Sequence, residues 1–146
     1  MKTFEFDYVA FQNRLASITD VSDRELALLE DTVSFYNSKN RSTYRNTCMC
    51  LYQATENSPG CAIGRCMHRN NVYIASASIN HLFTIKYPFP TWLIEMDKTF
   101  LTDLQILHDD PNFWNDTGIS DFGREYAEYI KNNIEQRRKN KDPHKS

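Results

Sequence analysis

Four cysteines crowd one short stretch of the chain. Cys48, Cys50, Cys61 and Cys66 lie close together, and His68 follows just beyond them. Two chemistries draw on such a cluster. The first is a metal centre, because zinc takes four soft or borderline ligands in a tetrahedron. If residues 47–53 and 61–67 pair as a hairpin, Cys48 and Cys50 share one strand face and Cys61 comes nearly opposite Cys50. The spacing is C-x-C-x10-C-x4-C, without the C-x-x-C knuckles of familiar zinc hairpins. No metal is therefore favoured. If one binds, its ligands are Cys48, Cys50, Cys61 and Cys66. The second chemistry is a thiol nucleophile. Cys61 follows Pro59-Gly60, and a sharp turn there aims backbone amides at the sulfur. His108 is the candidate base, with Asp109, Asp110 or Asp116 to orient it. Against both stands a plainer reading, in which the thiols are small buried hydrophobes and His108 closes a helix.

A second constellation is basic and aromatic. Lys39, Arg41, Arg45, Arg65 and Arg69 bracket the cysteines, with Tyr44 and Tyr52 between them. Cations pair with phosphate and rings stack on bases, so this set fits a nucleotide-like ligand. The competing reading is a solvated face.

Cys50-Leu51-Tyr52, then Cys61-Ala62-Ile63-Gly64, then Leu104-Gln105-Ile106-Leu107-His108-Asp109 with Trp114 form a longer pattern. It resembles a group of small bacterial and phage proteins that share C-x-Y, C-A-[IV]-G and L-Q-x-[apolar]-H-D. The likeness spans about the middle half of the chain. It departs after Gly64, where Arg65-Cys66-Met67-His68 replaces the apolar pair and Pro-Asp of the group. The resemblance implies a phage or bacterial origin and singles out Cys50, Cys61 and His108. It brings no reaction with it.

These residues need elements to position them. Ser22 and Glu25 have the spacing of a capping box, with Val21 and Leu26 as a staple, so a helix is expected over about 23–37. Residues 4–15 begin with strand-like alternation and drift to a helical period. Residues 37–46 read as a loop. Residues 47–53 and 61–67 are expected to pair as strands around the loop 55–60, with a third short strand at 72–75. Ser78–Phe83 reads as a short helix. Met96, Phe100, Leu104 and Leu107 form an apolar stripe behind a cap at Asp97. That helix should stop near Asp109, before Pro111. Ser120 should cap a last helix with Phe122, Tyr126, Tyr129, Ile130 and Ile134 on its inner face, fraying past Ile134.

The chain of 146 residues is 40% hydrophobic and 25% charged, which suits one globular domain. Its four glycines build neither GxGxxG nor GxxxxGK[ST], which argues against glycine-loop nucleotide binding. Net charge is −2 overall. Residues 131–146 carry +4 and the rest −6, a balance unlike a dedicated DNA binder. Without a long apolar run, we expect a cytoplasmic protein (the host cytoplasm if phage-encoded) with no membrane role. The expected fold is α+β, a single domain over 1–137 with about three helices packed on a small antiparallel hairpin or three-stranded sheet. Residues 138–146 are expected to form a basic, disordered tail. The expected function is non-catalytic binding of a host protein or a small ligand, without a cofactor. The alternatives are a thiol hydrolase or transferase using Cys61, His108 and Asp109, and a zinc-stabilised interaction module.

Overall fold

The structure, a computed structural model, describes residues 4–41, 52–67 and 78–141. Among these residues there are six α-helices and one minimal hairpin. Helix α1 (Tyr8–Ala16) starts where the Asp7 carboxylate accepts the Ala10 amide, so the mixed period of residues 4–15 resolves as helix from Tyr8 on, with residues 4–7 in neither helix nor strand. Phe11 and Leu15 face inward from it.

Helix α2 (Val21–Phe35) begins two residues earlier than its sequence signature suggests. Asp20 is the cap, and its carboxylate accepts the Asp23 amide at 2.8 Å. Ser22 and Glu25 do not form the expected box. Both turn inward, and Glu25 Oε2 accepts the Asp97 amide at 2.7 Å. One buried carboxylate thereby supports the start of a different helix.

Residues 61–67 are not a strand. They form a turn and a short 3-10 helix (Gly64–Cys66), every residue of it buried. Helices enclose this segment, so its amides must be satisfied locally. Arg65 N donates to Cys61 O at 3.1 Å, Cys66 N to Ile63 O at 2.8 Å, and Met67 N to Gly64 O at 3.2 Å. Gln12 of α1 then donates to the Arg65 and Met67 carbonyls. Of the partner strand expected over 47–53, residues 47–51 lie outside the described residues and Tyr52 and Gln53 are not in a strand, while the third strand expected at 72–75 lies outside the described residues.

Helix α3 (Ile79–Thr84) is capped by Ser78 as expected. A single turn, α4 (Thr91–Ile94), follows. Helix α5 (Lys98–Asp109) has its cap at Asp97, which accepts the Thr99 and Phe100 amides, and it ends at Asp109. The hairpin lies after it. Strands β1 (Trp114–Asn115) and β2 (Gly118–Ile119) pair antiparallel. The described residues are therefore mostly helical, with more helices than expected and a hairpin in a different place.

Helix α6 (Asp121–Lys141) is capped by Ser120, whose hydroxyl accepts the Gly123 amide at 3.1 Å. Its inner line is Gly123, Ile130 and Ile134. Phe122 and Tyr129, expected inside, are exposed instead. Nor does the helix fray after Ile134. Arg137 lies near Glu25 and Asp97, and Arg138 pairs with Asp20 and Asp23, so both arginines dock on the starts of α2 and α5. Residues 138–141 of the expected tail are thus helical, and 142–146 lie outside the described residues. Helix α6 packs on α2 and α5, and α1 packs on α2 and the Gly64–Cys66 turn. Among the described residues no helix is long and apolar enough to cross a membrane.

Candidate functional site

The Cys61 turn sits in the centre of this packing. Two glycines let it approach Tyr52. Gly60 has φ +114°, which side chains rarely adopt. A Cβ at Gly64 would lie 2.2 Å from the Tyr52 carbonyl oxygen. Tyr52 itself is fully buried. From α2, the Tyr36 hydroxyl donates to Gly60 O at 2.7 Å.

Cys61 is 0% exposed. Its Sγ accepts hydrogen bonds from Gly64 N at 3.4 Å and from Gln105 Nε2 at 3.4 Å. The same Gln105 amide accepts from Ile63 N at 3.3 Å, so α5 clamps the turn through one side chain. Cys66 is also enclosed, and burial pushes its thiol up to about 12. A thiol so raised is protonated at neutral pH and is a poor nucleophile.

His108 follows on α5 and is likewise 0% exposed. Its Nδ1 lies 2.7 Å from Asp109 Oδ1, the expected orienting carboxylate. Burial lowers the imidazole below its ordinary value, although Asp109 opposes that shift. The neutral ring donates Nδ1–H to the carboxylate. Tyr36 meets the ring edge-on at 4.7 Å between centroids. A small cavity of about 160 Å³ borders this cluster, with Tyr52, Thr102, Gln105 and Asp109 in its wall.

Arg65 is also enclosed. Expected to greet a ligand, it is 0% exposed. Its guanidinium pairs with Asp31 at 2.6 Å. Around it stand Phe11 at 4.4 Å, Tyr36 at 4.8 Å, Phe35 at 4.9 Å and Phe6 at 5.6 Å. The cation thus ties α1 and α2 to the Cys61 turn. Arg41 donates to the His108 and Asp109 carbonyls, closing the C-terminal end of α5. Lys39 is exposed in the turn after α2. The expected ligand-binding set is therefore divided between core, helix cap and surface. Tyr44, Arg45 and Arg69, like Cys48 and Cys50, lie outside the described residues. Among the described residues no group of three or more His, Cys, Asp and Glu side chains is arranged to hold a metal ion.

Sequence reasoning missed Asp31 and the ring set around Arg65. It met Gln105 only as one letter of a pattern. Comparison with protein-family models, with curated proteins and with solved structures returned no match.

Proposed function

We propose that this chain is a non-catalytic binding protein whose cysteine and histidine centre holds the fold together. The observation that carries this reading is the complete enclosure of the Cys61 thiol and the His108 ring. A nucleophile and its base must meet a substrate. Here each faces neighbouring core groups, Gln105 and Gly64 for the thiol, Tyr36 and Asp109 for the ring. The partner, on this reading, is another protein that docks on the outer surface.

The variants Cys61→Ala and His108→Asn test it. In Cys61→Ala the Gln105 amide loses an acceptor and a small void opens, at a cost of about 1–3 kcal/mol. Both variants should melt below the parent protein and still bind the partner surface. A variant with an unchanged melt and lost activity on a thioester or peptide substrate would overturn the reading.

One observation favours the thiol-enzyme alternative. Gln105 Nε2 and Gly64 N both point hydrogen at Cys61 Sγ, an arrangement that also stabilises a thiolate. The Asp109–His108 pair would supply the oriented base.

A further inference from the structure

The hairpin end of α6 carries an aromatic surface whose inner rings, Phe113 and Tyr126, rest against the core and whose outer rings, Phe122 and Tyr129, are exposed. Phe113, just before β1, stacks on Tyr126 with ring centroids 5.1 Å apart and planes at 17°. Tyr126 stacks in turn on Tyr129, at 5.6 Å and 28°. Phe122 stands beside them at 69% exposure, and Tyr129 is 52% exposed. Phe113 and Phe122 also line an open groove of about 590 Å³, with Trp114 and Asp110 in its wall. The exposed Phe122 and Tyr129, with the outer edges of the half-buried Phe113 and Tyr126, form a larger apolar surface than a scattered exposed residue.

Carboxylates surround it. Asp103 accepts the Tyr126 hydroxyl at 3.3 Å. Asp121 precedes Phe122. Glu125 lies three residues after Phe122 and four before Tyr129, so it stands between them on one helix face. Among the described residues Asp103, Asp121 and Glu125 form no salt bridge, and no lysine or arginine lines the groove. Arg137 and Arg138 make their ion pairs at the starts of α2 and α5, and Arg137 reaches Asp103 only as a nearby charge without an ion-pair contact.

Aromatic faces attract cations, and carboxylates beside them strengthen that preference. We propose that this surface seats a basic segment of a partner protein, with lysine or arginine side chains laid over the rings and paired with Glu125, Asp121 and Asp103. The inference rests on the binding-protein reading and names the partner's chemistry.

The experiment is a calorimetric titration of the full chain with a short synthetic peptide of alternating lysine and serine, at low and high salt. Peptides with glutamate in place of lysine, and a neutral oligosaccharide, run beside it. The lysine peptide should bind, and more weakly in high salt. Its affinity should fall about tenfold in Phe122→Ala and in Glu125→Lys, roughly the loss of one strong cation–ring or ion-pair contact. These side chains are exposed, so both variants should keep the parent's melting temperature. Val9→Ala, at an exposed site on α1, should leave affinity unchanged. The proposal is overturned if the lysine peptide fails to bind, if the glutamate peptide or the sugar binds as well, or if the variants have no effect. It is equally overturned if Phe122 proves to mediate self-association in sedimentation. Failure of the peptide with an inert Cys61 refutes this surface alone. A Cys61 that turns over substrate refutes the reading beneath it.

Discussion

Replacing Asp31 with alanine should damage the protein far more than replacing the arginine it serves. Arg65 is fully enclosed, and its Nε and Nη2 have no hydrogen-bond acceptor among the described residues. Its charge is balanced by Asp31 at 2.6 Å and by four ring faces. Breaking a buried pair by removing one partner costs about 3–5 kcal/mol, because the other charge stays uncompensated. The Asp31 side chain is 20% exposed, so water offsets some of that loss. The ring faces retain part of the cation's stabilisation. We expect Asp31→Ala to cost about 2–4 kcal/mol. Arg65→Met removes the buried charge and fills a similar volume. Asp31 then keeps its outer partner, Arg14 at 2.9 Å. That change should cost about 1 kcal/mol or less. The double variant should be more stable than Asp31→Ala alone. Urea unfolding of the four proteins measures all three quantities. An Asp31→Ala loss below about 1 kcal/mol, or simple additivity in the cycle, would refute the buried-cation argument.

Three other perturbations follow from the same packing. Gly64→Ala should cost at least about 1–3 kcal/mol by denaturation, since its Cβ would meet the Tyr52 backbone carbonyl rather than a movable side chain. His108 is held neutral by burial, so the unfolded chain takes up its proton first on acidification. Stability should therefore fall as pH drops below the ordinary histidine value of about 6.5, and His108→Asn should flatten that slope in urea melts at pH 5–7. Removing residues 138–146 should leave the fold intact and lower its stability by less than about 1 kcal/mol, because the Arg138 ion pairs it deletes are largely exposed.

The elements that could be read from sequence are those whose signals are local. Ser78, Asp97 and Ser120 each cap the helix expected of them, because a cap acts within one turn. The stripe of Phe100, Leu104 and Leu107 is buried for the same reason. Residues 61–67 differ from the expected return strand because the loop signal at 55–60 does not reveal enclosure on every side. Only the close approach of Gly60 and Gly64 to Tyr52 explains why the chain turns there. The Asp109–His108 contact was legible as adjacent residues, and the structure brings them together. The fate of Arg65 was not. Its partners Phe6, Phe11, Asp31, Phe35 and Tyr36 come from the N-terminal segments, and tertiary packing alone assembles them. Glu25 shows the same limit, since its inward turn to the Asp97 amide overrides a sound local capping signal.

The most direct test of the central claim is the rate at which iodoacetamide alkylates Cys61 in the folded protein, mapped by mass spectrometry across pH 6–9. An enclosed structural thiol should label slowly throughout that range and react only as urea unfolds the chain. Rapid labelling that follows an acidic pKa, and that slows in His108→Ala, would contradict the account and make Cys61 a nucleophile.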